Sequence, residues 1–73
     1  MKTYNVTTMW AVNHAGDDIV SDAKLETALD CANWLKRWHD EDDIIICEND
    51  GEVGTYYSLP KFLKKLSKKE GGK

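Results

Sequence analysis

An α+β fold follows from three features of this 73-residue chain. Apolar and polar residues alternate with period two from Tyr4 to Val12, a helical apolar stripe runs between Asp22 and Trp38, and Asp50-Gly51 separates two β-branched or aromatic runs. These predict the order ββαββ followed by a short C-terminal helix. The expected sheet is four-stranded and largely antiparallel, with the main helix, about residues 22–38, packed on one face. A chain of this length forms one domain with a small core. Within it we distinguish a compact part, residues 1–60, from a lysine-rich terminal helix or tail of the same domain, residues 61–73.

In the first strand the even positions are Tyr4, Val6, Thr8, Trp10 and Val12, and Asn5, Thr7, Met9 and Ala11 lie between them. This pattern predicts a half-buried strand with Trp10 and Val12 on its buried side. His14-Ala15-Gly16-Asp17-Asp18 is turn chemistry, and the β-branched Ile19-Val20 predicts a short second strand from about Asp18 to Ser21. Ser21 or Asp22 is the expected cap of a helix reaching Trp38 or His39. At 100° per residue, Leu25, Ala28, Leu29, Ala32 and Leu35 share an arc of about 120°, which faces the sheet. Cys31 and Trp38 extend that arc. Trp34 falls at its margin beside Asp30 and is the helix residue expected to be partly exposed, while Glu26, Asp30, Asn33 and Arg37 fill the opposite face.

After His39, four consecutive carboxylates, Asp40, Glu41, Asp42 and Asp43, repel one another and oppose the negative end of the helix dipole, which predicts a solvated loop. Ile44-Ile45-Ile46-Cys47 lacks alternation and reads as a central strand. A type I′ turn at Asp50-Gly51 would set Asn49 opposite Glu52, Ile46 opposite Thr55, Ile45 opposite Tyr56 and Ile44 opposite Tyr57. Pro60 ends the last strand, and Lys61 to about Lys69 can form a helix with Phe62, Leu63 and Leu66 on one side. Gly71 to Lys73 is expected to fray.

Charge divides along the chain. Residues 1–60 carry twelve Asp and Glu against four Lys and Arg, a net of −8, and residues 61–73 carry six Lys against one Glu, a net of +5. Two surfaces of opposite sign fit different partners. The acidic candidates for partner binding are Asp40, Glu41, Asp42, Asp43, Glu48, Asp50 and Glu52, and the aromatic anchors are Trp34, Tyr56 and Tyr57, with Trp10 a further candidate. The basic tail comprises Lys61, Lys64, Lys65, Lys68 and Lys69, an arrangement suited to phosphates. A single Arg in the whole chain argues against base-specific nucleic-acid reading.

Chemistry-bearing patterns are sparse. His14, His39, Cys31 and Cys47 lack the close ligand pairs of zinc sites. The acidic run has neither the glycine nor the distal Glu of a calcium loop. No glycine-rich turn opens a helix to hold phosphate, and both cysteines lie in apolar segments, where reduced buried thiols are expected. No metal, cofactor or catalytic group is therefore expected, and an enzyme is the least supported class. The first twenty residues contain no apolar stretch of signal-peptide length and nothing predicts a membrane span, so a cytoplasmic protein is expected.

The hairpin, helix, hairpin layout, with Leu25-Glu26-Thr27-Ala28-Leu29 in the helix, is similar in outline to small accessory proteins of phages and mobile elements and to partial-RNase-H-like antitoxins. The resemblance covers the whole chain, rests on element order and carries over no functional residue. The expected function is a non-enzymatic module that binds or inhibits a larger protein, including a nucleic-acid-binding one, through its acidic surface. An anti-defence protein or nucleic-acid mimic would work in this way. A nucleic-acid-associated regulator using the basic tail is the alternative, and a second apolar sheet face on so small a chain makes a homodimer a further expectation.

Overall fold

The structure, a computed structural model, describes residues 2–71, with side chains through Lys68. Four strands, β1 (Lys2–Thr8), β2 (Val20–Ala23), β3 (Ile44–Asp50) and β4 (Val53–Ser58), form one sheet in the order β2-β1-β3-β4 with every neighbouring pair antiparallel. Helix α1 (Met9–Asn13) follows β1, α2 (Leu25–Leu35) follows β2, and α3 (Leu59–Gly71) ends the described chain. A single 3-10 turn, Glu41–Asp43, leads into β3. The α+β class and the expected strand and helix order hold, with α1 added.

Both long helices pack on the same sheet face, α2 mainly over β1 and β2, and α3 over β3, β4 and the 3-10 turn. Tyr4, Val6, Ile44 and Ile46 rise from the sheet to meet Ala28, Ala32 and Leu35 of α2 and Leu59 and Phe62 of α3. Alanines at the centre of the α2 stripe bring its backbone close to the strands. Phe62 is the largest fully buried side chain and sits between Tyr4 and Tyr57, with ring centroids 5.8 Å from each.

The first strand is shorter than its alternation suggests. Thr8 pairs with Ile44, the first residue of β3, so beyond it no partner strand remains on that side. The Thr8 hydroxyl instead accepts the Ala11 N–H at 3.2 Å and caps α1. Trp10 and Val12, expected to be buried, are consequently exposed. Ser21 and Asp22, expected to cap the main helix, lie in β2. The pairs Tyr4–Ala23 and Val6–Val20 leave two residues opposite the single Asn5, a β-bulge. Asp22 adopts a positive φ of 52° there and donates its N–H to the Asn5 amide oxygen at 2.9 Å.

Helix α2 begins at Leu25 and stops at Leu35, so Trp38 falls outside it and is exposed rather than extending the buried arc. The second hairpin turns at Gly51-Glu52, not Asp50-Gly51, with Asp50 opposite Val53 and Ile46 opposite Tyr57. Gly51 takes the first central position with φ of 67°, as a type II′ turn requires. This register differs from the expected one by two residues, so every side chain keeps its face. Pro60 lies in the first turn of α3, where its missing N–H leaves no helical bond unmade.

Candidate interaction surfaces

The acidic residues singled out in the sequence do not form one surface. Asp40, Glu41, Asp42 and Asp43 precede β3, and Asp50 and Glu52 lie at its far end, roughly 20 Å away at about 3.3 Å per residue. All six are exposed. Glu48 is the correction. It projects from the core face of β3, buried, and its two oxygens take up Lys2 Nζ at 2.8 Å and Lys65 Nζ at 2.6 Å. Hydrogen bonds from Lys2 and then Lys65 hold its carboxyl below the ordinary range against the opposing effect of burial. The Glu48 hydrogen bond likewise raises the pKa of both lysines. A carboxylate so engaged is a structural counter-ion, not part of an acidic contact patch.

The two tyrosines part company because neighbouring residues of a strand face opposite ways. Tyr57 turns into the core against Phe62 and under Lys65, whose ammonium lies 5.1 Å from the ring centroid, so it is not a free anchor. Tyr56 is 68% exposed on the outer face. Trp10, also exposed, stacks on His14 with centroids 4.4 Å apart, and His14 Nδ1 lies 2.8 Å from the Trp10 carbonyl oxygen.

Trp34 and Trp38 form the most concentrated exposed aromatic surface. They are 55% and 67% exposed and meet edge to face with centroids 6.1 Å apart. The acidic turn follows directly, tied back to the end of α2 by an ion pair of Lys36 and Glu41 at 3.1 Å. Sequence reasoning singled out Trp34 but placed Trp38 in the core. The i, i+4 spacing of the two indoles was the available signal for their pairing.

On α3, Lys61, Lys64, Lys65 and Lys68 share one face at helical spacing and, with Lys2 of β1, line an open groove of about 640 Å³. Lys61, Lys64 and Lys68 are exposed, whereas Lys65 is engaged by Glu48. The Lys69 side chain lies outside the described residues.

The outer sheet face carries a polar chain. Asn5 donates to Asp18 at 2.8 Å, Asn49 donates to Asn5 at 3.0 Å, and the Cys47 thiol donates to Asn49 at 3.4 Å. Cys31 and Cys47 are free thiols, and burial pushes both up in pKa, which opposes nucleophilic use. Among the described residues no group of three His, Cys, Asp or Glu is arranged to hold a metal ion, and no helix is long and apolar enough to cross a membrane. No known family model, curated protein or solved structure matches this chain, so the surfaces themselves carry the functional reading.

Proposed function

We propose that this protein is a non-enzymatic binding module. Its recognition surface joins the Trp34–Trp38 pair to the acidic turn Asp40, Glu41, Asp42 and Asp43. The exposed indole pair carries the reading, because two large apolar side chains in mutual contact on a small surface cost hydration that a partner pocket would relieve. Tryptophan is among the residues that dominate binding energy when desolvated, and a flanking carboxylate rim steers a basic partner to the site. The fitting partner presents an apolar pocket edged with Arg or Lys, as nucleic-acid-binding proteins do.

Affinity purification from the native host, with wild type and Trp34→Ala/Trp38→Ala as baits, tests this. A protein retained by wild type should be lost by the variant, with affinity falling by about 30-fold or more, the equivalent of one hot spot of about 2 kcal/mol. Charge reversal at Asp40, Asp42 and Asp43 should slow association at low salt. Identical captures by both baits sink the proposal.

The lysine groove favours a second reading, attachment to a phosphate backbone without base readout. The apolar side of α3 is already spent on the core, which argues against insertion into a membrane. Lys61→Glu/Lys64→Glu/Lys68→Glu should then abolish a salt-sensitive shift of single- or double-stranded nucleic acid. Wild-type protein that binds neither at low salt eliminates this reading.

A further inference from the structure

The outer face of the sheet holds a groove between α1 and β4. One wall is α1 with the loop that follows it. Gly16 donates its N–H to the Ala11 carbonyl oxygen at 2.7 Å, and a Cβ at Gly16 would come 3.2 Å from the Ala11 Cβ, so loop and helix are in close contact. Ala15 makes the turn between them with φ of 56°, a left-handed conformation unfavourable for a residue that has a Cβ. Tyr56 forms the opposite wall, and Thr7 and Ile45, paired across β1 and β3 and both buried, form the floor. Met9 and Val12 line the α1 side, and Asp18 lies at the end of the loop. The groove encloses about 480 Å³, a volume within the range of small-ligand sites.

We propose that this groove binds a small organic cation, an ammonium group carried on an apolar or aromatic body. Asp18 selects the charge. Among the described residues no Lys, Arg or His lines the groove, and no ion pair engages Asp18. Its carboxylate accepts the Asn5 amide at 2.8 Å, and the Asn5 amide oxygen is itself held by the Asp22 N–H at 2.9 Å and by Asn49 at 3.0 Å. The orientation of Asn5, and of the carboxylate it holds, is thereby fixed. A neutral amide leaves the charge of Asp18 unmatched, and an ammonium beside it makes a charge-assisted hydrogen bond. The remaining lining selects the body. Tyr56 offers an exposed ring face to an aromatic group or a cation, and Met9 and Val12, 38% and 53% exposed, lose contact with water when covered. An anion is opposed by Asp18 and by the net −8 of residues 1–60. The indole pair and the lysine groove belong to α2 and α3, which pack on the other face of the sheet, so this site is separate from both.

Tryptamine, tryptophol and indoleacetate share a body and differ in charge, and amide correlation spectra of the full chain during their titration test the proposal. Tryptamine should give saturable shifts at Thr7, Gly16, Asp18, Ile45 and Tyr56. Tryptophol should bind about 5-fold more weakly, and indoleacetate more weakly still. Asp18→Asn, which keeps an oxygen for Asn5 and removes the charge, should reduce tryptamine to the level of tryptophol. Asp17→Asn, at a neighbouring carboxylate outside the groove, should leave the preference for the amine intact, which separates the site from the general acidity of the surface. Tyr56→Ser should weaken tryptamine about 2- to 5-fold. No saturable shift with tryptamine up to millimolar concentration, equal binding of amine and alcohol, shifts centred on Asp40 to Asp43, or a preference that survives Asp18→Asn overturns the proposal.

Discussion

Glu48 shows how far one residue's role depends on neighbours that its local sequence does not reveal. Its partners Lys2 and Lys65 are distant in sequence and arrive on β1 and α3, so nothing near residue 48 marks it as a buried counter-ion. Its lowered pKa stabilises the fold above the unfolded value of about 4.3, and that contribution is lost as pH falls through the folded value. The raised pKa values of Lys2 and Lys65 act at the other end, their contribution being complete below about 10.4 and lost as pH rises through the folded values. Glu48→Gln should therefore lower stability by about 1 kcal/mol at pH 7 and by much less at pH 3. Solvent screening keeps the figure small, because the lysine side chains are 37% and 36% exposed. Urea midpoints across pH provide the measurement. Wild type and variant losing stability in parallel below pH 4 would show that another group sets the acid limb.

At the scale of elements, periodicity was legible and boundaries were not. The alternation from Tyr4 to Thr8 and the Leu25 to Leu35 stripe each identified an element and its buried face, because burial repeats with the geometry of the backbone. Met9 to Val12 continued the strand pattern, but a strand also needs a neighbour, and the pairing with β3 ends at Thr8. Ser21 and Asp22 suit a helix cap and a bulge equally, since a short polar side chain both bonds to backbone and tolerates positive φ. Only the position of Asn5 across the sheet decides between the two. The hairpin was mispaired by two residues, a slip of one full strand period that changes the cross-strand partners without moving any side chain to the other face. For the candidate surface, Tyr56 and Tyr57 were both named as anchors from the sequence and only the structure separates them, Tyr56 outward and Tyr57 into the core, while the exposure of Trp38 depended on where α2 stops.

For the molecule as a whole, α3 is part of the core rather than an appendage. It contributes Leu59 and Phe62, 1% and 0% exposed, and carries Lys65 to Glu48. A chain ending at residue 60 loses Phe62, uncovers Tyr4 and Tyr57, and leaves Glu48 with Lys2 alone. Truncating a buried Phe costs about 3–5 kcal/mol, which equals the whole net stability of about 3–5 kcal/mol expected for so small a core. The chain of residues 1–60 should therefore show no cooperative thermal transition and poor amide dispersion, whereas Lys61→Glu/Lys64→Glu/Lys68→Glu, confined to exposed positions, should melt cooperatively near the wild type. A cooperative transition in the truncated chain would mean that the sheet and α2 suffice. If the truncated chain unfolds as expected, its loss of any binding reports unfolding, and the lysine substitutions are the variants that isolate the charge of the groove.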